Sequence, residues 1–225
     1  MDKAFIFDLN GTMIDDMQYH VKAWYHILND DLGAGLTREQ VKSHMYGKNS
    51  ELLIRVFGKD RFTEEEMNRI SIEKEKRYQQ EYRPHLRLIP GLMQFLEKAH
   101  ALKIPMAIGS AAIRFNIDFV LDNLNIRHFF SAIVSADDVR HSKPDGETYV
   151  KAANALNVTA GNCLVFEDAP KGVEAAANAG MPSVVLTLLH EKEEFAAYNN
   201  ILQYITDYSQ LSPAELLRPI KKENM

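Results

Sequence analysis

The chain has 225 residues, 46% hydrophobic and 25% charged, with a formal net charge of −5. This is an ordinary globular composition, long enough for one large domain or a domain carrying an insertion, and its acidic balance argues against nucleic-acid or acidic-membrane partners. Cys163 is the single cysteine, so no intrachain disulfide forms, which fits a reducing compartment. Met1-Asp2-Lys3 leads straight into an apolar run without a signal-peptide pattern, and no apolar stretch approaches bilayer length. The expectation is a soluble, cytoplasmic, monomeric protein with a small-molecule partner.

The first apolar run, residues 4–7, reads as a buried parallel strand ending at Asp8. Leu9-Asn10-Gly11-Thr12 follows, with Gly11 allowing a turn that frees backbone amides for an anion. From Met17 the period becomes helical through Val21, Trp24, Tyr25 and Leu28, with Asp15 or Asp16 as the expected cap. Thr37-Arg38-Glu39-Gln40 is a capping-box pattern opening a second helix. Residues 47–50 read as a loop, 51–57 as a short helix, and Thr63-Glu64-Glu65-Glu66 opens a long helix to about Tyr82. Residues 16–84 are thus an all-helical insertion after the first strand.

Beyond Arg87-Leu88-Ile89-Pro90-Gly91, helices and strands alternate. Helices are expected over 92–102, 113–124, 146–156 and 171–179, and strands over 105–108, 132–135, 163–166 and 182–186. A last strand over 201–205 and a short helix over 213–217 precede a solvated tail, Lys221-Lys222-Glu223. Such alternation implies α/β architecture, a parallel sheet with helices on both faces.

Chemically useful residues recur just beyond strands, where α/β sheets bind ligands. Asp8 is a carboxylate able to attack phosphorus, or merely a turn aspartate. Ser110, in Ile-Gly-Ser-Ala, offers a hydroxyl and the Ala111 amide to a phosphate oxygen, or caps a helix. Lys143, kept extended by Pro144, offers a cation to a transferring phosphoryl group, or is a surface charge. Glu167-Asp168 closes the run Cys163-Leu164-Val165-Phe166, and two adjacent acids there suit Mg²⁺, or charge a helix start.

In order and spacing these four segments resemble the motifs of the haloacid dehalogenase superfamily, over nearly the whole chain. The position of the helical insertion resembles that superfamily's type-one cap, and the chain is most similar to the β-phosphoglucomutase branch with its sugar-phosphate phosphatase relatives. The resemblance implies a Rossmann-like core, residues 1–15 and 85–225, and a helical cap, 16–84. It implies Asp8 as nucleophile, and Mg²⁺ held by Asp8, the Asn10 main-chain carbonyl and Asp168, with Glu167 behind them. Ser110 and Lys143 correspond to phosphate binders, and Gly11, Thr12 and Ala111 to the lining of the same pocket. In the cap, His20 and Trp24 correspond to residues that approach the active site; four apart on one helix face, they also read as a core pair.

Two departures qualify the resemblance. Asn10 stands where the superfamily's acid/base Asp is found, and an amide neither gives nor takes the required proton. Either an Asp has been replaced to trap a complex, which the otherwise complete motif set favours, or Asn10 is natural and the protein is a slow or non-catalytic relative. In Gly47-Lys48-Asn49-Ser50-Glu51, Ser50 stands where the branch carries an arginine for the substrate's distal phosphate. Lys48 is an expected substitute, and Lys76 of the long helix a second candidate, although Glu73-Lys74-Glu75-Lys76-Arg77 also reads as a solvated charged face. A weaker distal grip favours a phosphatase over a mutase. The alternatives are β-phosphoglucomutase activity, inorganic pyrophosphatase activity, and non-catalytic binding of a phosphorylated metabolite.

Overall fold

The computed structural model describes residues 3–217; the tail expected to be solvated lies outside them. Six strands form one parallel sheet: β1 (Ala4–Phe7), β2 (Met106–Gly109), β3 (Ala132–Val134), β4 (Cys163–Glu167), β5 (Ser183–Leu186) and β6 (Ile201–Ile205). Their order is β3-β2-β1-β4-β5-β6, the doubly wound arrangement. The expected strand at 201–205 is present and forms one edge.

β1 shows why both faces must be covered. All four of its residues are fully buried, and alternate side chains point to opposite sides. Phe5 and Phe7 join Phe95, Phe166 and Tyr208 in an aromatic core beneath α5 (Leu92–Ala101) and α6 (Arg114–Asn123). Ala4 and Ile6 meet small residues of α7 (Glu147–Ala155) and α8 (Pro170–Asn178), among them Ala152, Ala153, Ala175 and Ala176. A last short helix, α9, is Pro213–Leu216.

Between β1 and β2 lie α1 (Met17–Tyr25), α2 (Arg38–His44), α3 (Asn49–Phe57) and α4 (Glu64–Tyr82). The two expected capping boxes form, with Thr37 and Thr63 accepting from the backbone of Gln40 and Glu66. α3 starts at Asn49, so Asn49 and Ser50, expected in a loop, sit in its first turn, where the Glu51 carboxylate accepts from the Lys48 backbone N–H. The first helix does not run unchanged to Leu28: it turns π-helical over His26–Asp31. Trp24, Ile27, Leu28, Val41, Leu52 and Leu53 give these helices a small core of their own. Tyr78 and Tyr82 of α4 instead reach into the aromatic core under the sheet. The two connecting segments run side by side, joined by a bridge between Ile14 and Leu88 and by Ile89 N–H to the Met13 carbonyl at 2.9 Å.

Candidate active site

The sheet order reverses direction at the β1/β4 pair, where crossovers leave to opposite sides and a crevice opens at the carboxyl ends. Phe7 pairs with Phe166, so Asp8 and Glu167 leave neighbouring strands side by side, and the Asp8 N–H donates to the Phe166 carbonyl at 3.0 Å. Ser110 follows β2 on the other flank of β1. Lys143 enters from the loop between β3 and α7.

These residues converge. Lys143 Nζ donates at 2.7 Å to both Asp8 Oδ1 and Glu167 Oε1. Tyr149, on the first turns of α7, donates its hydroxyl to Glu167 Oε1 at 2.6 Å. Glu167 Oε2 accepts from the backbone N–H groups of Asp168 and Ala169, at 2.9 and 3.0 Å. Thr12 Oγ1 donates to Asp168 Oδ1 at 2.8 Å. Two glycines make the room. A side chain at Gly11, whose φ is +77°, would begin 2.2 Å from Asp168 Oδ2, and one at Gly172 would begin 1.7 Å from Glu167 Oε1.

The charges do not balance. Asp8, Glu167 and Asp168 are buried with ligand oxygens within 4.8 Å of one another, and among the described residues only one ammonium, Lys143, lies among them. Burial opposes ionisation of Glu167, but Lys143 outweighs it and holds that carboxyl below its usual range. Burial also opposes the Lys143 ammonium, and Asp8 and Glu167 more than offset it. For Asp8 desolvation wins, raising its pKa to about 7 against the pull of Lys143. Asp168 is driven well above the ordinary value by desolvation and by the charges of Glu167 and Asp8. An excess of buried carboxylate, presented as hard oxygen donors, fits a divalent cation of the Mg²⁺ class.

The helical insertion supplies the opposite wall. Tyr78 OH and Asn10 Nδ2 donate to Asp16 Oδ2 at 2.5 and 2.6 Å, and His20 Nε2 lies 3.2 Å from the same oxygen. Lys74 Nζ lies 2.5 Å from His20 Nδ1. Asn10 Nδ2 lies 3.0 Å from His20 Nε2, so donor groups approach the ring from both sides. The His20 ring stacks on Tyr78 with centroids 3.8 Å apart. Lys74 also donates to Glu75 Oε1 at 3.0 Å, and Asn49 Nδ2 donates to that oxygen at 2.9 Å. Burial lowers the Lys74 pKa, with Glu75 opposing. At Glu75 burial opposes ionisation, but Lys74 and His20 prevail and keep it below the usual range.

Both walls line one cleft of ≈ 420 Å³, the size of a small-metabolite site. Asp8, Asn10, His20, Trp24, Lys48, Ser110, Ala111, Lys143, Glu167 and Asp168 all border it. Ser110 does not cap α6, whose N-cap is Ile113; its Oγ accepts from the Ala112 N–H at 3.2 Å. Trp24 is both cleft wall and part of the small helical core.

Other expectations need correction. Gly11 and Thr12 do not line the cleft; they sit behind Asp168, one clearing space for its carboxylate and the other donating to it. Ser50 does not line it either, because its turn of α3 presents Asn49 and Leu52 there. Lys76 is exposed and borders a separate depression with Ile27 and Ile72. α4 buries Ser71, Lys74, Glu75, Tyr78 and Tyr82, and two further residues rotate Lys76 about 200° away from Lys74. Asp16 occupies the N-cap position of α1 without capping it by its side chain, which is turned to Asn10 and Tyr78. Sequence reading missed Lys74, Glu75, Tyr78, Tyr149 and Gly172. The helical spacing 71, 74, 75, 78, 82, anchored by Tyr78 and Tyr82, was the available signal for the first three, but it was masked by the run of charges.

The chain is similar to known proteins over most of its length. The sequence pattern of the haloacid dehalogenase-like hydrolases matches residues 5–186. Fructose-1-phosphate phosphatase YqaB of Escherichia coli is 30% identical over 83% of this chain and 97% of its own. β-Phosphoglucomutase of Bacillus subtilis is 31% identical, over 81% of this chain and 82% of its own. A crystal structure of β-phosphoglucomutase from Clostridium difficile superimposes with a TM-score of 0.82 at 28% identity, covering 96% of each chain. The chain belongs to the haloacid dehalogenase-like hydrolase family.

Proposed function

We propose that the protein is a Mg²⁺-dependent phosphatase of a small phosphorylated metabolite such as a sugar phosphate, working through an aspartyl phosphate at Asp8. At family level its relatives are sugar-phosphate phosphatases and a phosphomutase. The observation that carries the reading is the cluster of Asp8, Glu167 and Asp168 around Lys143 at the carboxyl ends of β1 and β4. Asp8, the Asn10 main-chain carbonyl and Asp168 would hold Mg²⁺, with Glu167 fixed behind them by Tyr149 and two backbone amides. When bound, the cation supplies charge stabilisation to the transferring phosphoryl group.

The chain's own groups do the rest. The Asp8 carboxylate is held by Lys143 at one oxygen, which leaves the other to attack phosphorus in line. The Lys143 ammonium and the Ser110 hydroxyl face the phosphate oxygens, and the Ala111 backbone lines the same end of the cleft. As the bond between phosphorus and the ester oxygen breaks, that oxygen needs a proton, and hydrolysis of the aspartyl phosphate then needs a base. Asn10 provides neither, so turnover is slow in this chain. A carboxyl in place of the Asn10 amide would border the cleft beside Asp8, where a proton on it could pass to the leaving oxygen. The fit of the position to that role supports Asn10 as a replacement that traps a complex. The helical wall excludes water and selects the substrate.

The acidic net charge supports a small-molecule rather than a nucleic-acid partner, and among the described residues no helix is long and apolar enough to cross a membrane. A β-phosphoglucomutase reading draws on the Bacillus subtilis relative, but the loop from Gly47 to Glu51 has no arginine for a distal phosphate, and Ser50 is turned from the cleft. Mg²⁺-dependent phosphate release from a panel of sugar phosphates and pyrophosphate, for this chain and its Asn10→Asp variant, tests the proposal. Release by the Asp form from one or more sugar phosphates is expected. Glucose 6-phosphate formed from β-glucose 1-phosphate with a bisphosphate primer, without phosphate release, would replace it with the mutase.

A further inference from the structure

Glu75 stands apart from the other acids of the cleft. It is 3% exposed, borders the cleft from the helical wall, and has one oxygen fully used. Oε1 accepts from Lys74 and Asn49. Oε2 has no hydrogen-bond partner among the described residues, and His20 Nδ1, 3.9 Å away, is turned to Lys74. A buried carboxylate oxygen without a donor is costly, so a site that keeps one expects a donor from elsewhere.

The cleft's other charges narrow what that donor is. Lys48 is tied to the Val139 carbonyl, Lys171 to Glu174 and His190 to Glu194, while Lys42 borders the cleft as an exposed side chain of α2. Lys74, the cation nearest Glu75, is spent on Glu75 and His20. The buried surroundings of Glu75 are therefore an ion pair with a free acceptor, and not a cationic pocket. A second phosphate placed there would meet the Glu75 charge; a neutral hydroxyl would satisfy it. The low pKa of Glu75 agrees, because it keeps the group an acceptor.

Resting on the phosphatase reading above, we propose that Glu75 is a specificity-determining residue: Oε2 accepts a hydrogen bond from a hydroxyl of the substrate's non-phosphorylated end, selecting monophosphorylated polyols and sugars over bisphosphates and over pyrophosphate. Such a bond to a charged acceptor discriminates a substrate from its deoxy analogue by roughly tenfold or more.

Slow turnover makes this chain suitable for equilibrium titration. Calorimetry in Mg²⁺ would compare glucose 6-phosphate, fructose 1-phosphate, their monodeoxy analogues, fructose 1,6-bisphosphate, pyrophosphate and inorganic phosphate. One deoxy analogue binding roughly tenfold more weakly than its parent, and the bisphosphate binding more weakly than either monophosphate, are the expected results. In Glu75→Gln the deoxy penalty shrinks severalfold and the bisphosphate gains. If that variant does not fold, the ligand series on the unchanged chain still decides, since it needs no substitution. Tighter binding of the bisphosphate, or a deoxy penalty that Glu75→Gln leaves in place, overturns the role of Glu75 while the phosphatase reading stands. Inorganic phosphate binding with no sugar phosphate binding better overturns both.

Discussion

The two walls of the cleft bury similar numbers of charged groups by different means. On the sheet side, Asp8, Glu167 and Asp168 sit at or within one residue of hydrogen-bonded strands, on short side chains, with Gly11 and Gly172 opening the space they need. Their sites are fixed by the backbone, and their charge is left in excess. On the helical side, His20, Lys74, Glu75 and Tyr78 reach inward from α1 and α4 around the buried Asp16, and one ammonium there faces two carboxylates, a smaller excess of acid than on the sheet side. The contrast separates two tasks. Chemistry on phosphorus needs atoms held to a fraction of an ångström and strong uncompensated charge for a cation. Selection among substrates needs a surface with a spare acceptor or donor, borne on a part of the molecule that can differ without disturbing the first.

The sharpest test of that division is the residue at its border. Asn10→Asp is expected to raise phosphate release by ~10²–10⁴-fold, with little change in substrate preference, because it supplies a proton and not a contact. On the sheet side, Lys143→Ala removes the one ammonium among three buried acids. Denaturant unfolding should show a loss of about 3–5 kcal/mol, partly recovered by saturating Mg²⁺. Lys74→Gln breaks the corresponding pair on the helical side, where two carboxylates rather than three share the cation and only Glu75 is bonded to it, so a loss of about 3 kcal/mol marks the upper end there. A loss equal to that of Lys143→Ala would contradict the difference in charge balance.

The cation gives a further separation. Without it, the Asp8 carboxyl lies at about 7, above the ordinary 3.8. Its protonated form therefore stabilises the fold below the ordinary value, and that contribution fades as pH rises through about 7. Thermal melting of the metal-free chain should shift downward over this interval. Mg²⁺ at a hundred times its dissociation constant should add about 2.7 kcal/mol and reverse the trend, because it binds the deprotonated form. Asp168→Asn should abolish the Mg²⁺ shift. The smallest effect is expected at Lys76→Ala, within about 0.5 kcal/mol and without change in kcat/KM, since Lys76 faces away from the cleft.

Much of the sheet-side wall was readable from residues alone. Strand alternation, the turn after Asp8 and the acids closing β4 are local signals, and a parallel sheet brings strand ends together whatever the loops between them do. The capping boxes at Thr37 and Thr63 are equally local and form as expected. What the chain's order could not reveal is which member of a charged run turns inward. In Glu73-Lys74-Glu75-Lys76-Arg77 every residue looks solvated, and only the docking of α4 against α1 and the sheet core, through Tyr78 and Tyr82, rotates Lys74 and Glu75 into the cleft and leaves Lys76 outside. The same docking turns Asp16 from helix cap to partner of Asn10 and Tyr78. Composition, motif order and periodicity thus determined the fold class and the sheet-side cluster, because both follow from short-range pattern. The helical wall was decided by tertiary packing, because a helix's rotation about its axis is set by what it packs against.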